Sequence, residues 1–155
     1  MPGICDHTSV GMLVWQNDQL LLIERKIPPF GFAPPAGHVD GDDSFETAAK
    51  RELQEEVGLD TVSLKLLIEG KKDNVCSRQD GGWHNWKIYQ METAGDIKRS
   101  ETETKQAGFY DKRSLLALAQ KTEQYWRGEI KREDWETSPG LEPAWYEWLK
   151  ELKII

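Results

Sequence analysis

Three carboxylates at a helical spacing are the first residues of this chain that could do chemistry. Glu52, Glu55 and Glu56 lie in the run Arg51-Glu52-Leu53-Gln54-Glu55-Glu56-Val57-Gly58. At roughly 100° per residue they fall within about a third of a helix circumference. Acids that close repel one another unless a cation sits among them. Oxygen donors of this kind suit hard divalent ions, so Mg²⁺, with Mn²⁺ as a substitute, is the ion expected. A glutamate-rich face alone is ordinarily just a solvated surface. What sets this one apart is the loop ahead of it, where Pro34-Pro35-Ala36-Gly37 delivers a stiff, glycine-containing turn to the acidic segment. Helix signals bracket the acids too: Ser44 as N-cap, Asp42 and Asp43 beside the N-terminus, and Gly58 to close the C-terminus. Ala49, Leu53 and Val57 form an adjoining apolar stripe suited to packing on a sheet.

The stretch from Gly37 to Leu59, GHVDGDDSFETAAKRELQEEVGL, resembles the signature box of the Nudix (MutT-like) hydrolase family. Every fixed position matches except 43, where Asp stands for the usual Glu, and the flanks look similar enough to extend the resemblance to most of the chain. It implies a metal-dependent hydrolase of phosphoanhydride bonds. The substrate expected is a nucleoside diphosphate derivative: a nucleoside triphosphate, a modified nucleotide or a nucleotide sugar, attacked by water at phosphorus. The resemblance implies Glu52, Glu55 and Glu56 as metal ligands, joined by the backbone carbonyl of Ala36, with Glu52, Glu56 and Arg51 as the catalytic set. Glu52 is the first choice for orienting or deprotonating the water. Some family members use a glutamate from a later loop, which keeps Glu101 and Glu103 open. Arg51 is expected to pair with Asp43 and brace the loop against the helix. The shorter acid at 43 bears on rate and metal affinity more than on activity itself.

For substrate binding the candidates are Arg25, Gly37, Phe32 and Trp83. Arg25, at the end of a strand, is either a phosphate ligand or a surface residue. Phe30, Phe32, Trp83 and Trp86 offer faces that could stack on a base, with core packing as the alternative. Residues 60–82 contain neither Pro nor Tyr, which counts against the subfamilies that carry such a marker for ADP-ribose or dinucleoside polyphosphates. The competing function is a non-catalytic Nudix-fold module that binds a nucleotide for regulation. Retention of all three box glutamates argues against it, as does the lack of a basic DNA-binding segment.

Cys5-x-His7 together with Cys76 and His84 gathers both cysteines and two of the three histidines. A Cys₂His₂ set would suit structural zinc, yet these spacings fit no standard finger or knuckle, so scattered residues are expected.

The elements that must position the acids can be read in order. Thr8–Trp15 and Gln19–Arg25 form a hairpin about Asn17-Asp18, and the unbroken Leu20–Ile23 run predicts a strand covered on both faces. Residues 26–35 hold four prolines and form a stiff loop leading to a short strand at the box. Strands follow over Thr61–Gly70, with Val62, Leu64, Leu66 and Ile68 on one face, over Trp83–Met91 after a turn at Asp80-Gly81-Gly82, and over Ala107–Tyr110. Asp111 caps a second helix running toward Trp126. A final helix from Glu142 or Pro143 to Leu152 carries Trp145, Trp148, Leu149 and Leu152 as a core or dimer face. The plan is α+β, an α/β/α sandwich with a mixed β-sheet between helices.

At 155 residues the chain fits one domain, 1–155. A formal charge of −7 argues against a nucleic-acid polymer as partner. No apolar run would span a bilayer, and residues 1–7 lack the features of a signal peptide. With two cysteines and no leader, the expected location is cytoplasmic. The expected partner is a small nucleotide, with a homodimer open.

Overall fold

The computed structural model describes residues 3–155. Met1 and Pro2, part of the segment read for a leader, lie outside the described residues. The strands are β1 (Thr8–Leu13), β2 (Trp15–Gln16), β3 (Gln19–Arg25), β4 (Phe32–Ala33), β5 (Ala36–Gly37), β6 (Asp60–Lys72), β7 (His84–Ala94) and β8 (Thr104–Tyr110). The helices are α1 (Phe45–Val57), α2 (Lys112–Trp126), α3 (Arg132–Thr137) and α4 (Pro143–Glu151). One sheet runs β5-β1-β7-β6, with β1 parallel to β7 and the other pairs antiparallel. The second is built on β3, which pairs antiparallel with β2, β4 and β8.

Alternation along β3 explains the layers. Leu20 and Leu22 enter a core with Trp86, Leu115, Trp145 and Leu149, whereas Leu21 and Ile23 enter another with Ala49, Leu53 and Val57 of α1. The strand is covered on both faces, as its unbroken apolar run predicts. Helices α2 and α4 thus close one side and α1 the other, with one mixed and one antiparallel sheet between the helices. α4 lies in the core, with Trp145, Trp148 and Leu149 all buried.

The structure departs from the sequence reading in five places. The first apolar run is not one strand of a hairpin: β1 ends at Leu13 in one sheet, and β2, the true partner of β3, belongs to the other. The turn itself is where expected, with Asn17 and Asp18 both at positive φ. In β6, register shifts at Thr61/Ser63 and Leu66/Ile68 break the simple alternation. As a result Val62 and Leu66 point outward, 64 % and 40 % exposed. β4 forms inside the proline-rich loop and β8 begins at Thr104. Helix α3, unmarked by any strong apolar stripe, buries only Trp135.

Candidate active site

The acidic helix forms as its capping residues dictate. Ser44 accepts a hydrogen bond from Thr47 N, and Gly58, at φ 72°, donates its N–H to Gln54 O. Ala49, Leu53 and Val57 anchor α1 to the sheets. This turns Glu52 and Glu56 toward β5, which sits beside β1 through the pairs Val10↔Gly37 and Gly11↔Ala36. The approach is tight: a Cβ on Gly37 would stand 2.1 Å from Glu52 Cδ, so only glycine leaves room for that carboxyl. Ala36 N donates to Glu56 Oε2 at 3.1 Å.

Together these residues line a cleft of about 210 Å³ whose walls also carry Arg25, His38, Glu103 and Glu142. Burial pushes Glu52 up to about 7 against the pull of Arg51, and raises Glu56 well above the ordinary carboxylate range, with the charge of Glu52 adding to the effect. Buried acids at such close quarters, with hard oxygen donors converging beside the backbone of Ala36, form a set that fits a divalent cation of the Mg²⁺ class. Glu55 is different. Its carboxylate is 56 % exposed and paired with Arg51 at 3.2 Å, at the rim rather than among the residues lining the cleft.

Arg51 is the hub of the loop. Its Nε donates to Asp42 Oδ2 at 2.8 Å, Nη1 to Glu52 Oε1 at 2.8 Å and to Glu55, and Nη2 to His38 O at 2.9 Å. The partner is therefore Asp42, not Asp43, which is exposed. The turn past Gly41, at φ 84°, brings the earlier acid under the guanidinium. Nor does Arg51 point away from the acidic face; it spans Glu52 and Glu55.

Arg25 reaches the cleft, with Nε donating to Pro29 O at 2.7 Å. Its positive charge draws down the raised acids Glu56 and Glu142. Phe32 does not line the cleft: it is buried in the core, edge-on to Tyr110. Trp83 is also outside it, stacked on His7 with ring centroids 3.9 Å apart. Trp86 does reach the wall, but it is buried and edge-on to Trp145, leaving no free face for a base. Of the two later-loop acids Glu103 lines the cleft and Glu101 does not.

Sequence reasoning missed Glu142, buried at the cleft wall and capping α4 by accepting from Trp145 N. The only sequence signal was its place before Pro143 at a helix start. It also missed His38, which differs from a loop residue only by following Gly37.

Residues 6–132 match the family model for the NUDIX domain. The chain is 30% identical over 118 residues to the ADP-ribose pyrophosphatase of Methanocaldococcus jannaschii, covering 73% of this chain and 68% of that protein. It is 35% identical over 65 residues to the RNA pyrophosphohydrolase of Caulobacter vibrioides, where the match spans only 38% of that protein and 40% of this chain. A NUDIX hydrolase from Nitrosomonas europaea shares the fold with a TM-score of 0.67 at 16% identity, over 99% of this chain and 89% of that one. A MutT NUDIX hydrolase from Burkholderia pseudomallei does so with a TM-score of 0.61 at 22% identity, over 69% and 84%. With a glycine-gated pair of buried glutamates on α1 and a family match over most of its length, the chain belongs to the Nudix (MutT-like) hydrolase family.

Proposed function

We propose that this Nudix hydrolase cleaves the pyrophosphate bond of a nucleoside diphosphate derivative by water attack at phosphorus, with Mg²⁺ as the working ion and Mn²⁺ as a substitute. The observation that carries this reading is the convergence of Glu52 and Glu56 on the backbone of Ala36 and Gly37 in one cleft. Glu52, Glu56 and the carbonyl of Ala36 would hold the ion, with Glu103 within the same cleft and Glu55 at its rim. When bound, a divalent ion neutralises phosphate oxygens and acidifies water.

The chain's own residues do the rest. Glu52, facing Gly37 in the cleft wall, orients the attacking water and takes its proton. Glu103, in the same cleft, is the second candidate for that role. Arg25 meets the charge of the substrate phosphates, and Arg51 keeps the 38–42 turn seated against α1. Gly37 lets phosphate and carboxyl approach the same backbone.

A cleft of about 210 Å³ is smaller than the ~300–1,000 Å³ that encloses a whole drug-sized ligand. It accommodates the phosphates, and the remainder of the substrate lies across the mouth. The name of the Methanocaldococcus relative makes ADP-ribose one substrate to test, beside nucleoside triphosphates and nucleotide sugars. The experiment is a panel of these compounds with Mg²⁺ and with Mn²⁺, reading phosphate, pyrophosphate and nucleoside monophosphate separately. Metal-dependent release from at least one compound is expected. Nucleotide binding without hydrolysis under either ion would instead favour the regulatory module.

A further inference from the structure

We propose that Cys5, His38, Cys76 and His84 form a structural zinc site at one end of the β5-β1-β7-β6 sheet, a donor set distinct from the carboxylates although His38, Cys76 and His84 line the same cleft. Their ligand atoms all lie within 4.8 Å of one another. Cys5 Sγ stands 3.3 Å from His84 Nε2 and 3.6 Å from His38 Nε2. Zinc at ordinary bond lengths to sulfur and nitrogen separates its tetrahedral ligands by about 3.4–3.8 Å, so a small contraction closes the shell.

Sheet topology explains why residues so far apart in the chain meet. β1 and β7 are parallel, so Cys5 ahead of one and His84 opening the other lie at the same end. β5 is antiparallel to β1, so the chain leaves it at that end through His38. β6 is antiparallel to β7, with Lys72 opposite His84, and the connection between them carries Cys76. Spacing along the sequence cannot show this, because each ligand comes from a different strand end. His7, the more obvious partner for Cys5, turns away at φ 59° and stacks on Trp83.

The surroundings are those of ligands held ready. His84 Nδ1 lies 3.0 Å from Asn74 O, and a carbonyl only accepts. Nδ1 therefore carries the proton, and the Nε2 lone pair faces Cys5. Asn74 is itself fixed by Trp86 Nε1, which donates to its Oδ1 at 3.0 Å. Each sulfur accepts a backbone N–H from two residues on, His7 N to Cys5 and Arg78 N to Cys76. Gly81 gives Cys76 its room: a Cβ there would stand 2.2 Å from the sulfur.

Two sulfurs and two imidazoles suit zinc rather than magnesium, and four protein donors leave no open position for a reacting water. The role is thus to tie the turn after Gly37 to the N-terminal segment and the β6–β7 connection. Arg78 reinforces the tie through its paired contacts with Asp40.

The test needs no substrate. Protein purified without chelator, then exchanged into metal-free buffer, should retain about one zinc per chain by elemental analysis. Co²⁺ added to the stripped protein should give tetrahedral visible bands with thiolate charge transfer, and zinc but not magnesium should restore the melting temperature. Cys76→Ser should lower retained zinc to below about a tenth of that, whereas His7→Ala should keep it. Wild-type protein that holds no zinc and gives no tetrahedral cobalt spectrum would overturn the site. So would undiminished zinc in Cys76→Ser, loss of zinc in His7→Ala, or a Cys5–Cys76 disulfide found by thiol counting.

Discussion

Glu56 is the residue on which the proposed chemistry leans hardest, because it is buried, carboxylic and hydrogen-bonded to the backbone of the loop it faces. Glu56→Gln preserves shape and the bond from Ala36 N while removing the carboxylate proposed to bind metal. Turnover should fall about a hundredfold or more with the melting temperature kept, and near-wild-type rates would remove Glu56 from the site. Glu52 has a signature in stability as well. Its proton affinity is raised by burial from 4.5 to about 7, so the folded chain holds that proton more tightly than the unfolded chain. In buffer without magnesium its contribution is therefore fully present below pH 4.5 and lost as pH rises through about 7, at most about 3 kcal/mol. His38 and His84 are held neutral by burial and slope the other way. The Glu52 contribution is thus read as a difference: Glu52→Gln should gain on wild type as pH rises across that window. A difference that stays constant with pH would contradict the raised affinity.

The turn between β5 and α1 carries the consequence of a one-residue shift. Arg51 ties α1 to this turn through Asp42 and the carbonyl of His38, while Asp43 faces solvent. Asp42→Ala should lower the melting temperature by a few degrees, the effect of about 1–2 kcal/mol from a half-exposed charged hydrogen bond. Asp43→Ala and Asp43→Glu should each leave it within a degree or so. Equal losses at both positions, measured by calorimetry, would mean that the loop shifts and the two acids exchange roles. Asp at 43 is therefore not a shortened version of the brace; the brace has moved to its neighbour.

On the scale of the whole molecule, α4 does more than close the chain. Trp145 is 2 % exposed and packs edge-on to Trp86. It also lies so close to Gly11 that a Cβ there would stand 2.4 Å from the indole. Glu142, at the start of α4, lines the cleft. The family match stops at residue 132, yet this later helix shares the core and the site wall with the matched region. Trp145→Ala should cost about 3–5 kcal/mol, a fall in melting temperature of about 10 °C. A shift of only a degree or two would show that α4 docks weakly.

What the sequence by itself determined is local. Capping residues, a glycine before an acidic helix and an unbroken apolar strand each act within a few residues. Ser44, Gly58, the α1 stripe and β3 accordingly stand where the pattern puts them. What only the tertiary structure decided depends on distant neighbours. The split of the first apolar run between two sheets, the bulges that turn Val62 outward, the burial of Phe32 and the stacking of Trp83 on His7 all follow from which strand lies beside which. The gathering of His38 with Cys5, Cys76 and His84 follows from the same cause. Side chains from four strand ends meet only once parallel and antiparallel pairing has brought those ends to one edge, and no spacing along the chain encodes that pairing.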